Sequence, residues 1–313
     1  LRILRALAER GIAAGLETNG ILYPPGFFEL ATEMQARGLL GMTVSLDGGT
    51  PETHDRLRGP RSFDRSVAGL RRLREQGIRF NLQCVLNRES YRTIPQLYAL
   101  AEELAPACDA VQWALLNPIG RGAGLTQELG LRSEDLSALF DLIQRAEPGF
   151  SGRTVVKVPP AIVPPRYLPL IFKRDRVQSV STCQFPLLGI LPDGDVTICA
   201  VSRDDESLRF GNVRDEGFQL KQVWERTRMD QLRSRYVAAE DLTGICGDCV
   251  WKHKCKGACR AWAYEEGGSF DAPFPLCHAL AEAGAFPKAY RLSFQNAAAA
   301  AALARIDTGC HCS

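Results

Sequence analysis

The chain has 313 residues, 45% hydrophobic and 24% charged, with 38 basic and 36 acidic side chains and a formal net charge of +2. That is ample material for a buried core, and the near-balanced charge gives no reason to expect nucleic acid or a membrane surface as a partner. No apolar run approaches the ~20 residues of a membrane span, so a cytoplasmic protein is expected, and eleven cysteines in such a chain point to metal ligation rather than to a disulfide scaffold.

The chain opens on Leu1 inside an amphipathic helical pattern (Leu1, Leu4, Ala8), as expected of a fragment whose true start lies upstream. A helix ends at Gly11, and the pattern predicts a strand over 12–16 that runs into Glu17-Thr18-Asn19-Gly20. A helix over 26–37 and a strand over 42–46 lead into Asp47-Gly48. A helix over 63–76 precedes a strand over 79–86, and a helix over 91–104 precedes a strand over 110–115. The strands recur about every 30 residues, the length of one βα unit, so a parallel sheet is expected. Polar and glycine-rich residues follow the strand ends, the edge at which parallel α/β folds bind ligands.

Beyond this α/β part (1–125), residues 126–180 read as a helix and a proline-rich linker (Pro159, Pro160, Pro164, Pro165, Pro169). Residues 181–280 form a cysteine-rich domain. Residues 281–313 form an Ala-rich tail ending in Cys310-His311-Cys312, which reads as a disordered end with exposed thiols or as a substrate-like or metal-handling tail.

Cys183 and Cys199 flank Gly194; then come Cys246-x2-Cys249-x5-Cys255-x3-Cys259 and, later, Cys277. Short loops of this kind wrap zinc or iron–sulfur centres, and thiolates suit both. Seven ligands suggest two centres, and the odd count fits clusters, one of them lacking a fourth cysteine, better than closed tetrahedral zinc sites. Cys84 and Cys108 lie far apart on or beside predicted strands and read as buried structural thiols. Tyr264 and Asp271, close to the cysteines, read as packing or turn residues, and no catalytic acid or base can be picked out.

These residues resemble the SPASM domain that extends many radical S-adenosylmethionine (SAM) enzymes. The resemblance rests on the cysteine pattern, on Leu191-Pro192-Asp193-Gly194 before the second cysteine, on Gly211-Asn212-Val213 with Val223-Trp224, and on Cys259-Arg260-Ala261. It implies two auxiliary [4Fe–4S] clusters: one on Cys183, Cys199 and Cys259, with its fourth position open or otherwise filled, the other on Cys246, Cys249, Cys255 and Cys277.

The N-terminal half is similar to the radical SAM partial barrel. Glu17-Thr18-Asn19-Gly20, Ser45-Leu46-Asp47-Gly48, His54-Asp55-Arg56-Leu57-Arg58-Gly59, Asn87 and Gly120-Arg121-Gly122 look like its successive strand-end motifs. The fold implied is α/β: an incomplete parallel (β/α) barrel, its last four of six strands, followed by the small SPASM domain. Asn19, Ser45, Arg58 and Asn87 are the implied SAM-binding residues. A hydroxyl and a guanidinium suit the carboxylate of SAM, and the amides suit its ribose or methionyl group.

The C-x3-C-x2-C motif that holds the SAM-cleaving cluster of such enzymes does not occur in these residues. The expectation is therefore a truncated chain, inactive alone, whose third cluster belongs to a missing N-terminal segment. The resemblance implies a 5′-deoxyadenosyl radical that takes hydrogen from the substrate. It also implies a peptide or protein maturase, served by an electron donor such as flavodoxin or ferredoxin. The alternatives are maturation of a haem-type or quinone cofactor, a non-catalytic iron–sulfur protein for electron transfer or binding, and a zinc-binding structural domain.

Overall fold

The structure is a computed structural model that describes residues 1–116, 122, 124–172, 177–179, 187–199, 206–225 and 239–294. The chain forms two compact units. The first holds Leu1–Leu116, Thr126–Lys157 and Pro169–Ser179; the second holds the remainder.

The first unit is built on βα repeats: α1 (Arg2–Glu9), β1 (Ala14–Thr18), α2 (Phe27–Ala36), β2 (Leu40–Ser45), α3 (Pro51–Arg58), α4 (Ser62–Glu75), β3 (Phe80–Leu86), α5 (Ile94–Glu103) and β4 (Cys108–Leu115). It continues through α6 (Thr126–Leu129), α7 (Ser133–Ala146), β5 (Arg153–Lys157), α8 (Leu168–Phe172) and β6 (Val177–Ser179). The six strands lie in sequence order in one sheet, and every neighbouring pair is parallel.

Side chains alternate across this sheet as its pleat requires. Leu40, Met42 and Val44 of β2, and Phe80, Leu82, Cys84 and Leu86 of β3, are buried. Glu17, Thr43, Ser45, Asn81, Gln83, Gln112 and Lys157 hold the opposite, partly open face. Gly38 and Gly77, at positive φ just after α2 and α4, let those helices stop and turn into the next strand.

Two features depart from the sequence reading. Residues 151–180 are not simply a linker, because β5 and β6 lie within them and extend the sheet from four expected strands to six. Pro159, Pro160, Pro164 and Pro165 cap or begin short 3-10 turns, and Pro169 sits in the first turn of α8, where a missing N–H costs little. The helix α3 was also not anticipated. It buries His54 alone, so it has no apolar stripe to announce it.

In the second unit a three-stranded antiparallel sheet joins β7 (Gly189–Ile190), β8 (Asp195–Thr197) and β9 (Arg209–Asn212). Val196, Ile198, Leu208, Phe210 and Val223 form its small core, with Cys199, Tyr264 and Phe270 packed against it. Short helices over Gly244–Gly247, Lys252–Cys255, Arg260–Gly267 and Pro275–Glu282 carry or flank the remaining cysteines. Part of the expected tail belongs to this unit. Val250 N donates to Tyr290 O (2.9 Å), Leu292 N donates to Asp248 O (2.7 Å), and Cys249 and Arg291 form an antiparallel bridge. The Cys310-His311-Cys312 end lies outside the described residues.

Among the described residues, no helix is long and apolar enough to cross a membrane.

Candidate functional site

Cys246, Cys249, Cys255 and Cys277 line one pocket, together with Lys252, Gly257 and Phe274 among others. All four thiols are buried. Each stands on a different local device. Cys246 lies in the helical turn Gly244–Gly247, Cys249 follows three residues later in the loop tied to residues 290–292, Cys255 closes the helix Lys252–Cys255, and Cys277 sits in the first turn of Pro275–Glu282.

Backbone N–H groups point at two of these sulfurs: Phe274 N to Cys246 Sγ (3.2 Å) and Trp251 N to Cys249 Sγ (3.4 Å). Such donors stabilise a sulfur that carries negative charge. Burial, followed by the neighbouring cysteines, pushes the thiols of Cys249 and Cys277 well up. Four thiolates packed together without cations would repel one another and lose their hydration, so this donor set suits a cationic iron core. Among the described residues, no group of His, Cys, Asp or Glu is arranged to hold a single metal ion. A four-iron cluster takes one thiolate per iron, a wider arrangement.

Arg260 completes the surroundings. It is wholly buried. Its guanidinium donates to Phe270 O (3.0 Å), Ala272 O (2.7 Å) and Gly257 O, and its Nε has no hydrogen-bond partner. A buried cation beside four thiols again fits an anionic cluster.

Of the other three cysteines expected as ligands, Cys183 lies outside the described residues. Cys199 borders the small core of the second unit, and Tyr264 and Phe270 border the same core. Tyr264 belongs to the helix headed by Cys259, whose Sγ accepts from Trp262 N (3.4 Å). Tyr264 stacks on Phe270 (4.5 Å), and the Asp271 carbonyl accepts from Thr243, so both residues serve packing and turn roles. Cys84 and Cys108 are buried in the first unit; burial raises both thiols, that of Cys108 to about 12.

In the first unit, Asn19, Ser45 and Asn87 stand at the ends of the neighbouring strands β1, β2 and β3, at one edge of the sheet. Asn19 Oδ1 accepts from Ile21 N (3.1 Å). Asn87, fully buried, accepts from Glu89 N (2.9 Å) and Ser90 N (3.0 Å). Both side chains thus shape their own turns. Ser45 is half-buried, in register with Gln83.

Arg58 pairs through Nε with the buried Asp47 carboxylate, and no other hydrogen bond of its guanidinium is found among the described residues. Asp47 is itself fixed, accepting from Val85 N (3.0 Å) and donating its own N–H to His54 Nδ1 (3.0 Å). His54 is buried, and burial holds its pKa below the ordinary range. Asp55 accepts from Arg61 N (2.6 Å), Ser62 Oγ (3.0 Å) and Phe63 N (2.8 Å) at the start of α4. The segment His54–Arg58 therefore holds the Asp47-Gly48 turn and caps the next helix.

Sequence reasoning passed over Lys157 and Gln112. Lys157 Nζ donates to Gln83 Oε1 (2.7 Å), and burial lowers its pKa. Gln112 Oε1 is buried without a partner. Their signal was polar residues placed within otherwise apolar strands.

Two sequence profiles match the chain: the radical SAM superfamily over residues 1–101 and the iron–sulfur cluster-binding SPASM domain over residues 183–250. The chain belongs to the radical SAM enzymes that carry a SPASM domain. Such enzymes use SAM, and SPASM domains bind auxiliary iron–sulfur clusters.

This radical SAM enzyme is 28% identical over 295 residues to the AdoMet-dependent heme synthase of Nitratidesulfovibrio vulgaris, a match covering 86% of this chain and 72% of that one. It is 26% identical over 270 residues to the mycofactocin maturase MftC of Mycobacterium tuberculosis strain H37Rv, covering 85% of this chain and 63% of the relative. Among solved structures, anSMEcpe with bound AdoMet shares the fold with a TM-score of 0.59 at 19% identity, covering 90% of this chain and 76% of that one. SuiB of Streptococcus suis does so with a TM-score of 0.61 at 18% identity, covering 87% and 61%. The α/β sheet followed by a small cysteine-rich domain is the architecture that the family leads one to expect.

Proposed function

We propose that this radical SAM/SPASM enzyme is a maturase of a ribosomally made peptide. The enzyme class is carried by the pocket lined by Cys246, Cys249, Cys255 and Cys277. In this reading these four thiolates hold one auxiliary [4Fe–4S] cluster, and Cys183, Cys199 and Cys259 hold a second. A third cluster, the one bound by SAM, is expected of the whole enzyme; no C-x3-C-x2-C motif occurs within these 313 residues. When bound, that cluster and SAM supply a 5′-deoxyadenosyl radical, and the protein's part is to position and shield it.

The chain's own residues would work at the strand edge. Ser45 and the terminal nitrogens of Arg58 meet the SAM carboxylate, with Asp47 orienting Arg58 through Nε. Asn19 and Asn87 shape the turns around the nucleoside. Lys157, Gln83 and Gln112 present polar groups on the open face of the sheet, where a substrate would lie. A cytoplasmic protein reduced by flavodoxin or ferredoxin completes the proposal.

The likeness to MftC supports the peptide reading. A second reading, modification of a tetrapyrrole, is favoured by the likeness to the AdoMet-dependent heme synthase and to an Fe-coproporphyrin III synthase of Methanosarcina barkeri at 27% identity. The deciding experiment incubates the reduced, cluster-loaded full-length enzyme with SAM and either a candidate precursor peptide or Fe-coproporphyrin III. Substrate-dependent 5′-deoxyadenosine and a mass change in the peptide alone uphold the first reading. Turnover of the porphyrin alone replaces it with the second.

A further inference from the structure

Arg260 is a fully buried cation. Three carbonyl oxygens, of Gly257, Phe270 and Ala272, accept its hydrogen bonds. Among the described residues no carboxylate pairs with it, and its Nε has no partner. A guanidinium taken out of water without an anion is costly, and neutral carbonyls offset that only in part. Such a site implies that negative charge arrives from elsewhere.

The nearby source is the four-cysteine pocket. Gly257, whose carbonyl holds Arg260, lines that pocket. Residue 257 is a glycine at φ +72°, and a Cβ there would stand 2.4 Å from the guanidinium carbon, so the backbone is kept clear for the cation. The segment that Arg260 grips at Ala272 leads directly to Phe274, whose N–H donates to Cys246 Sγ.

We propose that Arg260 is the buried counter-charge of the cluster held by Cys246, Cys249, Cys255 and Cys277 and raises its reduction potential. The inference rests on the reading of those four cysteines as cluster ligands. One electron entering a cluster of four thiolates makes an anionic centre more negative by one charge. A fixed cation at close range in a poorly screened interior favours that reduced form. The positive charge of Arg260, rather than its carbonyl bonds alone, is what the proposal assigns.

The test uses the full chain, reconstituted without oxygen, as wild type, R260M and R260K. Iron and sulfide are measured first. The potential is then followed by electron paramagnetic resonance during titration with dithionite and mediators, the relevant signal being the one that C249A lacks. A shift of that midpoint to more negative values in R260M, with R260K near wild type, is the expected result. A loaded R260M with an unshifted midpoint overturns the proposal and leaves Arg260 a structural clamp. If R260M takes up no cluster at this site, R260K decides: restored loading with a near wild-type midpoint supports the counter-charge, and loading lost in both variants overturns it. If C249A contains as much iron as wild type, the ligand reading itself fails, a result distinct from either outcome for Arg260.

Discussion

The Asp248 carboxylate accepts from Arg291 Nε at 2.9 Å, and this pair fastens the Cys246-x2-Cys249 loop to a segment more than forty residues further on. Ser293 adds its amide (2.8 Å) and hydroxyl (2.7 Å) to the same carboxylate. Burial works against this charge, but the Ser293 and Arg291 donors together hold the Asp248 carboxyl below the usual carboxylate range. Charged hydrogen bonds of this kind, partly exposed here, contribute about 1–2 kcal/mol in sum. D248A is therefore expected to destabilise the second unit by about that amount and to speed the loss of iron to a chelator. Wild-type chelation kinetics in D248A would show that the clip has no bearing on the cluster loop.

Removing a single ligand is a sharper probe. C255A is expected to cost about four irons with matching sulfide, one cluster's worth, and to weaken the second unit, because the other three buried thiols lose their shared core. Iron and sulfide analysis of the anaerobically reconstituted protein checks this. Full iron content in C255A would remove Cys255 from the ligand set.

At the strand edge, R58A separates a binding role from a scaffolding one. The loss of a charge-assisted contact of roughly 1.5–3 kcal/mol predicts SAM binding weaker by about 10- to 150-fold. Asp47 is also left buried without its cation, so the melting temperature should fall. R58K restores the charge but not the fork, and is expected to recover stability more fully than affinity. Equal SAM affinity in wild type and R58A, measured by calorimetry, would take Arg58 out of the SAM site.

His54 makes the first unit sensitive to acid. Its folded-state pKa is lowered, chiefly by burial and further by Arg58, while Asp47 and Asp55 oppose the shift. The unfolded chain therefore binds the proton more readily than the folded one. The sign follows: stability is full above the ordinary value of 6.5 and falls as pH drops below it toward the folded value. Urea unfolding at pH 7.5 and 5.5 should show this loss in wild type and a smaller one in H54Q. An equal loss in both would assign the acid sensitivity to other groups.

Periodicity made the first four strands legible, through the alternation of β1, β2 and β3 and, for β4, where Ala110 and Val111 are both buried, through its place after a helix in the βα rhythm. It failed for β5 and β6, which span five and three residues and are separated by prolines. It failed for α3 as well, whose place is set by the His54, Asp55 and Arg58 contacts rather than by an apolar face. Cysteine spacing marked only the run from Cys246 to Cys259; the resemblance to the SPASM domain is what grouped the distant Cys277 with Cys246, Cys249 and Cys255, the four that line the pocket. The Asp248–Arg291 clip had no such local signal. Asn19 and Asn87 show the limit of motif reading: a short amide side chain that makes its own turn has the same sequence appearance as one that meets a ligand.

The division of the chain between its two units carries a consequence for anyone who would dissect or recombine it. Residues 158–168 belong to the second unit, yet they lie between β5 and β6 of the first. There the Val163 carbonyl accepts from the Tyr290 hydroxyl at 2.8 Å. No single cut in the polypeptide separates the units. A SPASM domain exchanged between relatives at one junction near residue 180 would leave behind the strip that holds Tyr290, so a working graft needs at least two splice points, or the exchange of everything from β5 onward.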